Sequence, residues 1–325
     1  MKAEILALLR ETDGYISGQE LCERFGVSRT AVWKAINQLK KEGYEIEAVQ
    51  NRGYHISSVP DVLSENELVS IRKTQWIGQK IYYFDTVDST NIKANHLAEE
   101  GSEHGTLVVA ERQITGKGRR GRGWESPEQT GIFMTLILKP EIETANASML
   151  TLVAAMAVRK GIEQVSGLKA AIKWPNDIVV NGKKVCGILT EMSAQMDYVN
   201  HIVIGIGINV HNQNFPEEIK NVATSLLLEC GERVNRAALI EAIWEAFEAY
   251  YEVFMQNQNL SALRNEYDAH LANRGQRVKV LDPKDSYEGV AQGITDRGEL
   301  MVDTWESRKL VSSGEVSVRG IYGYV

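Results

Sequence analysis

The chain has 325 residues, of which 43% are hydrophobic and 24% charged, and its formal charge is −7. This composition is typical of a globular protein with two or three domains, and it excludes a low-complexity chain. Cys22, Cys186 and Cys230 are too far apart in the sequence to indicate a disulfide framework or a zinc site. Because the start has no signal-peptide pattern and no apolar run reaches membrane-spanning length, we expect a cytoplasmic protein without a membrane segment.

The first 62 residues, 1–62, are predicted to fold as a winged helix-turn-helix domain. A first amphipathic helix is followed by a short helix over 18–25, and Ser28 is a good N-cap for a third helix. Two alternating strands over 44–49 and 53–56 then form the wing. The residues expected to face the core are Ile5, Leu6, Leu8, Leu9, Ala31, Val32, Ala35, Ile36 and Leu39.

The third helix carries a charge pattern typical of DNA contact. Five basic residues and no acidic one lie from Arg24 to Lys41, whereas residues 1–60 hold eight of each sign. A helix of this kind enters the major groove while the wing reaches the phosphate backbone. The alternative is a small helical domain whose basic face is only solvated. The residues predicted to contact DNA are Ser28, Arg29, Thr30, Trp33, Lys34, Asn37 and Arg52.

Beyond a linker over 57–61, residues 63–272 are predicted to form an α/β domain with a mixed sheet, because strand-like runs alternate with helical ones. The predicted strands cover 82–85, 106–110, 131–138, 171–173, 178–180, 185–192 and 201–209, and the longer predicted helices cover 148–165 and 235–254. Residues 273–325 are predicted to form a small β-barrel, with strands over 277–281, 287–290, 300–302 and 309–311 and closure near 315–319. The predicted fold class is therefore α+β, with three domains.

The segment 113–124, with the adjoining Arg112, is a concentrated positive loop on a negative protein. It places five basic residues among four glycines and has no acidic residue before Trp124. Glycines let the backbone approach a ligand closely, and arginines donate forked hydrogen bonds to carboxylate or phosphate, so the loop indicates a specific anionic ligand. The alternatives are a solvated basic loop and a non-specific RNA patch. The P-loop pattern is absent, so the sequence does not support γ-phosphate transfer.

Two further motifs each have a structural alternative. The short polar run over 88–91 follows a predicted strand and precedes a helix, where its side chains either cap that helix or hydrogen-bond a polar ligand ring. Gly205 and Gly207 alternate in a predicted strand, where they either admit a flat ligand or serve packing alone. Neither motif is specific by itself.

A third motif groups two lysines with an acid. The pair Asn181-Gly182 marks a hairpin turn, so Lys173 and Lys184 are expected on neighbouring strands. Together with Asp177 they could neutralise a phosphate and hold a divalent cation. The alternative is a charged hairpin on the surface.

Taken in chain order, these motifs resemble those of biotin–protein ligases. The matching segments are Asp88-Ser-Thr-Asn, Gln113-x-x-Gly-Lys-Gly-Arg-Arg-Gly-Arg-x-Trp, Lys173-Trp-Pro-Asn-Asp, Lys184-x-x-Gly-Ile-Leu and Gly205-Ile-Gly-Ile-Asn. With the N-terminal winged helix, the chain is similar to the bifunctional bacterial members of that family, which also repress the biotin operon. One departure is Lys117, where the family often has arginine, so a guanidinium-specific contact there would be lost.

The resemblance implies a two-step reaction on a class II synthetase-like scaffold with an SH3-like C-terminal barrel. Biotin and Mg·ATP first give biotinyl-5′-AMP and pyrophosphate. A lysine of a biotin carboxyl carrier domain, from acetyl-CoA carboxylase or pyruvate carboxylase, then takes the biotinyl group. The resemblance also implies that the adenylate is a corepressor, which orders the loop 113–124 and favours a homodimer that binds operator DNA.

The resemblance also assigns roles to individual residues. Lys184 would hold the biotin carboxylate and the α-phosphate, with Arg119 and Asp177 as the other expected catalytic residues, and Asp177 is a candidate magnesium ligand. The expected biotin contacts are Ser89, Thr90, Asn91, Gln113, Gly116, Lys117, Gly118, Arg119, Lys184, Gly205 and Gly207. The expected ATP or adenylate contacts are Arg120, Arg122, Trp124, Lys173, Asn176, Asn209, Phe215, Lys279 and Arg319.

Two other functions stay open at this point. One is a ligand-responsive repressor with a degenerate enzyme domain, which the intact Lys184 and arginine loop disfavour. The other is a ligase of the related lipoate family, which shares the scaffold but which the Gly-Arg-Arg-Gly-Arg loop disfavours.

Overall fold

The computed structural model describes residues 1–195, 198–281, 286–314, 317–321 and 324–325. The chain divides into two compact units, Met1–Lys73 and Thr74–Val325. No helix within the described ranges is both long enough and apolar enough to cross a membrane.

The first unit confirms the predicted order of three helices and a hairpin. Its elements are α1 (Lys2–Glu11), α2 (Gly18–Phe25), α3 (Arg29–Lys41), β1 (Glu45–Val49), β2 (Gly53–Ser58) and α4 (Glu65–Ile71). Ser28 caps α3 as predicted, because its hydroxyl accepts a hydrogen bond from the N–H of Ala31. Of the residues expected in the core, Ala31 alone is only half-buried, since it lies in the first turn of α3 at the edge of the packed face.

The helix α4 was not predicted, and it packs against α1 within the first unit. Its Glu67 is 1% exposed and accepts two hydrogen bonds from the Arg10 guanidinium at 2.6 and 2.7 Å. The hydroxyl of Tyr44 donates a third hydrogen bond to Glu67 at 2.5 Å. A buried carboxylate with three such bonds ties α4 to the helices before it. The compact unit therefore runs to Lys73, while the domain boundary at 62 stays a prediction.

The second unit is built on a mixed sheet of seven strands, as predicted. The strands are β3 (Ile81–Val87), β4 (Leu107–Gln113), β5 (Gly131–Leu138), β6 (Ala170–Lys173), β7 (Asp177–Val180), β8 (Lys183–Gln195) and β9 (Tyr198–Asn209). Their order is β3-β4-β5-β9-β8-β7-β6, in which β3 and β4 are parallel and every other neighbouring pair is antiparallel. The strand β5 is buried along its whole length, which agrees with a sequence that is apolar except for Thr135.

In the described part of the chain, five α-helices accompany this sheet. They are α5 (Thr90–Glu99), α6 (Met149–Ser166), α7 (Leu226–Cys230), α8 (Arg236–Asn257) and α9 (Arg264–Ala269). The two long helices, α6 and α8, were predicted within a few residues, and they pack against one another. Their approach is close at Gly161, where a Cβ atom would lie 2.6 Å from the side chain of Ile243. The short helices α7 and α9 were not predicted, because fewer than two turns leave no measurable apolar period.

The C-terminal part of the second unit is an antiparallel sheet of five strands in the order β13-β12-β11-β10-β14. These strands are β10 (Arg277–Leu281), β11 (Tyr287–Ile294), β12 (Leu300–Asp303), β13 (Arg308–Val311) and β14 (Ser317–Gly320). The four predicted strands before 312 are confirmed. The predicted closing segment is confirmed from Ser317 onward, and its residues 315–316 lie outside the described residues. Closure of this sheet into a barrel stays a prediction.

Candidate active site

A cavity in the second unit brings together most of the predicted ligand residues. It lies where the start of α5, the loop after β4 and the strands β8 and β9 meet. Its lining consists of Ser89, Thr90, Asn91, Gln113, Lys117, Gly118, Arg119, Trp124, Asn176, Lys184, Gly187, Ile188, Leu189, Gly205, Ile206 and Gly207. Segments separated by more than a hundred residues therefore line one site.

On one part of this wall, neutral polar groups orient each other. The Gln113 amide oxygen accepts hydrogen bonds from the backbone N–H of Thr90 at 2.9 Å and from its hydroxyl at 3.1 Å. The Gln113 amide nitrogen donates to the hydroxyl of Ser126 at 2.8 Å. Both ends of the amide are thereby held, so Gln113 cannot rotate without breaking bonds on two segments.

Asn91 is held in the same way. Its amide nitrogen donates to the Leu189 carbonyl at 3.2 Å and to the Glu191 carboxylate at 2.9 Å, while its amide oxygen accepts from the Thr135 hydroxyl at 2.8 Å. The side chains of this motif therefore do not cap α5, and Ser89, the N-cap residue, makes no capping hydrogen bond. The structure contradicts the capping alternative. We call the group formed by Ser89, Thr90, Asn91, Gln113, Ser126 and Thr135 the neutral side of the cavity.

The alternating glycines of β9 are closely approached by side chains of the protein itself, which is the packing alternative, while approach of a flat ligand stays a prediction. A Cβ atom on Gly205 would lie 2.0 Å from the Asn91 amide oxygen, and one on Gly207 would lie 2.7 Å from the Trp124 indole. The indole also lies over Gly187 of β8, where a Cβ atom would come within 3.0 Å. The flat group against Gly187 and Gly207 is therefore Trp124 of the loop, which was predicted to face the nucleotide.

The loop itself folds back as a small hairpin. The N–H of Trp124 donates to the Gly116 carbonyl at 2.9 Å, and the N–H of Gly118 donates to the Arg122 carbonyl at 2.7 Å. At its tip Arg120 has a φ of 59°, in the left-handed region. Gly116 does not line the cavity, but a Cβ atom there would lie 2.3 Å from the Trp124 carbonyl oxygen, so this glycine is needed to close the hairpin.

Arg119 lines the cavity and is held at both of its terminal nitrogens. One nitrogen donates to the Asn176 amide oxygen at 2.9 Å, and the other donates to the Ser313 and Gly314 carbonyls at 2.5 and 2.9 Å. Asn176 is fixed in turn by its hydrogen bond to the Ile188 carbonyl at 3.0 Å. Burial lowers the pKa of Arg119 from its usual value. The loop is thus attached to both the central and the C-terminal sheet through one guanidinium.

The predicted arrangement of Lys173 and Lys184 is wrong in one respect. The turn at Asn181-Gly182 does join neighbouring strands, but these are β7 and β8, and β7 separates Lys173 on β6 from Lys184 on β8. The segment between Lys173 and Asp177 is itself a tight connection that pairs these two residues across β6 and β7. Each lysine therefore lies next to Asp177, and the two lysines are not on adjacent strands.

Asp177 is the centre of a charged group beside the cavity. Its carboxylate is 2.6 Å from the Lys184 ammonium, which also lies 5.3 Å from the Trp124 ring centroid. Burial raises the pKa of Asp177, but Lys184 and Lys173 outweigh it and leave that pKa below its usual value. Burial lowers the pKa of Lys173 to about 8. We call the group formed by Arg119, Lys173, Asp177 and Lys184 the charged side of the cavity.

The other predicted nucleotide residues do not line this cavity. The side chains of Arg120 and Arg122 are exposed, Phe215 is half-buried, and Asn209 donates to the Thr224 carbonyl at 3.1 Å. Lys279 of β10 and Arg319 of β14 are direct cross-strand neighbours. The residues that line the cavity without having been singled out are Gly187, Ile188, Leu189 and Ile206. The alternating pattern of β8 and β9 could have indicated them, since they adjoin matched motif positions.

The predicted DNA residues lie on α3 and the wing of the first unit. Thr30, Trp33 and Lys34 are exposed, and Asn37 is half-buried. The Arg29 guanidinium donates to the Gln19 amide oxygen at 3.0 Å. On the wing, the Arg52 guanidinium lies 4.3 Å above the Tyr15 ring. Ser28 serves as the cap described above. An exposed tryptophan and lysine on one helix face leave that face available to a partner.

Three family models match the chain. The Biotin/lipoate A/B protein ligase family matches residues 83–209, an HTH domain matches 2–55, and the Biotin protein ligase C terminal domain matches 275–319. The first match contains every residue of the neutral side and of the charged side.

Relatives match along nearly the whole chain. The bifunctional ligase/repressor BirA of Bacillus subtilis is 42% identical over 306 residues, which is 94% of each chain. The protein of the same name from Escherichia coli is 28% identical over 320 residues, 97% of this chain and 96% of that one. Among solved structures, the biotin protein ligase from Aquifex aeolicus in complex with biotin and ATP has a TM-score of 0.67 and 30% identity, and the match covers 74% of this chain and 99% of that chain.

Proposed function

Because this chain belongs to the family of bifunctional biotin–protein ligases and repressors, we propose that its cavity joins biotin to AMP and then delivers biotin to a protein. The enzyme is an ATP-dependent biotin–protein ligase, and its N-terminal unit makes it a DNA-binding repressor of biotin genes. The observation that carries the proposal is the meeting of a neutral side, whose Thr90, Asn91 and Gln113 are held by hydrogen bonds, and a lysine- and arginine-bearing charged side at one cavity.

The neutral side suits the ureido ring of biotin. A ureido group is uncharged and has one carbonyl acceptor and two N–H donors, so it needs oriented hydroxyl and amide groups and no ions. Thr90, Asn91 and Gln113 are buried or half-buried and are already oriented by protein hydrogen bonds. Preorganised partners lower the entropy lost on binding. Ser89 and the backbone of Lys117 and Gly118 complete this part of the lining.

The charged side suits the carboxylate and the α-phosphate. In the first step the biotin carboxylate oxygen attacks the α-phosphorus of ATP, and pyrophosphate leaves. The Lys184 ammonium and the Arg119 guanidinium would stabilise the charge that develops on the α-phosphate oxygens. In the second step the neutral amine of an acceptor lysine attacks the carbonyl of the mixed anhydride. An amide forms, AMP leaves with the bonding electrons, and the amine loses a proton.

The outer nucleotide phosphates would be held by the remaining basic residues. Lys279 and Arg319 are like charges directly opposite on neighbouring strands, and Glu288 faces Lys279 from the other side on β11, so a further anion beside Arg319 would be favourable. Both basic side chains are exposed, as is that of Arg122. Together with Lys173 and Arg120 they form the proposed phosphate contacts. Asn209 or Phe215 would face the adenine ring.

Magnesium fits this site only when it binds together with the nucleotide phosphates. Among the described residues no group of three His, Cys, Asp or Glu side chains could hold a metal ion. The one carboxylate of the charged side, Asp177, lies between lysines. This donor set matches Mg²⁺ bound by one or two carboxylates and by substrate phosphates. When bound there, the ion would offset the negative charge of the phosphates, and Asp177 would be its protein ligand.

The finer assignments belong to this proposal as well. We place the ends of the three domains at residues 62 and 272, with an SH3-like barrel after the second boundary and a class II synthetase-like fold between them. The acceptor is a biotin carboxyl carrier domain of acetyl-CoA carboxylase or pyruvate carboxylase. Adenylate binding would order the loop 113–124 and favour a homodimer, and dimerisation would strengthen adenylate binding reciprocally. Arg29, Lys34 and the wing residue Arg52 would contact operator DNA.

Incubation with ATP, magnesium and either biotin or lipoate tests the enzymatic proposal. We expect biotinyl-AMP by mass spectrometry, followed by transfer to a carrier domain. Lipoyl-AMP in place of biotinyl-AMP would assign the chain to the lipoate ligases. If the chain binds operator DNA but forms no adenylate, it is a ligand-responsive repressor without ligase activity. The relatives with substantial identity are biotin ligases, which supports the first outcome.

The DNA proposal has its own test. Replacing Lys34 by alanine should weaken operator binding and reduce its salt dependence by about one unit of slope if the lysine contacts a phosphate. Gel-shift titrations at several salt concentrations measure both quantities. Lys73→Ala, outside the winged helix-turn-helix, is the control. An unchanged slope for Lys34→Ala would remove this residue from the interface.

A further inference from the structure

Tyr324, which follows β14 in the chain, reaches the charged side of the cavity from the C-terminal part of the second unit. Its hydroxyl donates a hydrogen bond to one carboxylate oxygen of Asp177 at 2.6 Å. Its ring lies under the Lys173 ammonium, with 3.4 Å between the nitrogen and the ring centroid. No motif in the sequence indicated this residue. It contacts both partners of the β6–β7 pair at once.

The two oxygens of Asp177 have different partners. Oδ1 is 2.6 Å from the Lys184 ammonium, and Oδ2 accepts from Tyr324. Lys184 lines the cavity, whereas Tyr324 does not. An anion bound in the cavity can therefore compete with Asp177 for Lys184. It does not compete for the hydrogen bond between Tyr324 and Asp177.

The surroundings of Asp177 explain why a neutral donor is useful here. Lys173 and Lys184 flank this carboxylate, and Arg122 and Arg319 are near enough to disfavour the charge on Lys173. A further cation would add repulsion within this group. A phenol supplies a hydrogen bond to the carboxylate and an aromatic face to the ammonium without adding charge.

From these contacts we propose that Tyr324 is a positioning residue for adenylate formation. When the biotin carboxylate and the α-phosphate take Lys184, the hydroxyl of Tyr324 keeps Asp177 hydrogen-bonded. Without that bond, this half-buried carboxylate would lose the ion pair with Lys184 and have no hydrogen bond in its place, which would oppose the exchange. The ring of Tyr324 meanwhile holds Lys173 beside the path of the outer phosphates. This inference rests on the proposed ligase function.

Two substitutions separate the hydroxyl from the ring. Tyr324→Phe keeps the ring over Lys173 and removes the donor to Asp177. We expect it to lower the kcat of adenylate formation about tenfold, because the lost hydrogen bond matters only once Lys184 has moved to the ligand. The KM for biotin should change by less than about twofold, since the neutral side is untouched. Tyr324→Gln restores a donor without a ring, so it should recover part of kcat and raise the KM for ATP.

Tyr287 provides the matched control. It lies in the C-terminal part of the second unit and has the Lys309 ammonium 4.1 Å from its ring centroid, but neither residue belongs to the charged side of the cavity. Tyr287→Phe and Tyr287→Gln should leave kcat and both KM values as in the unmodified chain. Tyr324→Leu, which has neither a donor nor a ring, is made as well, and thermal melting of all five variants shows whether each is folded.

The outcomes distinguish this inference from the proposed function. An unmodified chain that makes no biotinyl-AMP overturns the ligase itself. An active unmodified chain with unchanged kcat in Tyr324→Phe overturns the positioning role. A melting temperature that falls in step with kcat, with no gain for Tyr324→Gln over Tyr324→Leu, assigns Tyr324 to folding alone and also overturns it. If Tyr324→Phe does not fold, the comparison of the Gln and Leu variants decides, because the positioning role requires the higher kcat in the Gln variant.

Discussion

The neutral side and the charged side of the cavity are built on opposite principles. On the neutral side, Thr90, Asn91 and Gln113 are bound to other protein groups, so their positions are set before any ligand arrives. On the charged side, Lys184 is paired with Asp177, and a ligand anion must replace that partner. The first region is organised for recognition and the second for exchange. We therefore expect substitutions on the neutral side to change biotin binding and substitution of Lys184 to change the rate.

The largest effect should come from Lys184→Met. Loss of a cation that faces the developing charge on the α-phosphate should lower the rate of adenylate formation about 10²- to 10³-fold. Biotin affinity should fall much less, because the neutral side is unaltered. Pyrophosphate release and calorimetric biotin titration measure the two quantities. Lys183→Met, at the exposed neighbouring position, is the control. Equal losses of rate and affinity would contradict the division between the two sides.

Gly205→Ala should show the reverse pattern. The new Cβ atom would lie 2.0 Å from the Asn91 amide oxygen, whose bonds leave it little room to move. Overpacking of this kind typically costs about 1–3 kcal/mol, which should appear as weaker biotin binding together with a lower melting temperature. Gly123→Ala is the matched control in the loop, since a Cβ atom there has nothing within 4 Å. Normal biotin affinity in Gly205→Ala would show that the ring binds elsewhere.

The third prediction concerns the residue that joins the loop to both sheets. Arg119→Ala should weaken retention of the adenylate by about 1–3 kcal/mol, from loss of a charge-assisted hydrogen bond. Asn176→Ala should have a smaller effect in the same direction, because Arg119 keeps its bonds to the Ser313 and Gly314 carbonyls. Dissociation of labelled biotinyl-AMP reports both values. If Asn176→Ala weakened retention more than Arg119→Ala, Asn176 and not Arg119 would make the main contact with the adenylate.

Thr135→Val tests how far the neutral side depends on its own hydrogen bonds. The substitution keeps the shape of the side chain and removes the hydroxyl shared between Thr90 and Asn91. Leaving the buried Asn91 oxygen without its donor should cost about 1–3 kcal/mol of stability, and biotin affinity should fall by at most a similar amount. Chemical denaturation measures the loss of stability. Thr86→Val, at an exposed position of β3, should be close to neutral.

The smallest effect should be a dependence of stability on pH at the edge of the neutral side. His201 bonds to Asn95, and burial lowers the pKa of His201 below its usual value of 6.5. The unfolded chain then binds more protons than the folded protein as pH falls through 6.5, so the free energy of unfolding should decrease there. His201→Gln should flatten this decrease, and His96→Gln, at an exposed position of α5, should not. Identical pH profiles for all three proteins would assign the acid sensitivity to other groups.

The sequence predicted which residues lie at the cavity better than it predicted which strands and side chains they pair with. The motifs at 88–91, 113–124 and 205–209 meet in space because they lie at the ends of strands whose apolar patterns are clear. The strands over 171–173 and 178–180 were predicted separately, but the relation of Lys173 to Lys184 was misjudged because the order of the strands across the sheet was not predicted. Local pattern determines which strands form, but the pairing of strands depends on contacts distant in sequence.

Other features had no local signal at all. Tyr324 and Ser313 reach the site from the C-terminal sheet, and nothing in their immediate sequence marks them. Trp124 was known to belong to the loop, yet its position against Gly187 and Gly207 follows from the hairpin that the loop forms. The short helices were missed because their lengths hide the apolar period. Tertiary contacts, more than propensity, decide such elements.

The buried bond between Glu67 and Arg10 bears on how this protein is divided for experiments. A ligase fragment that begins at residue 63 would keep α4 but lose Arg10 and Tyr44, and the carboxylate of Glu67 would be left without either partner. Leu68, which is fully buried in the whole chain, would become exposed beside it. Any loss of ligation in that fragment would then report an unfolded helix instead of missing communication from the DNA-binding unit. A fragment that begins at Thr74 carries no such remnant, and the two fragments together show which effect is real.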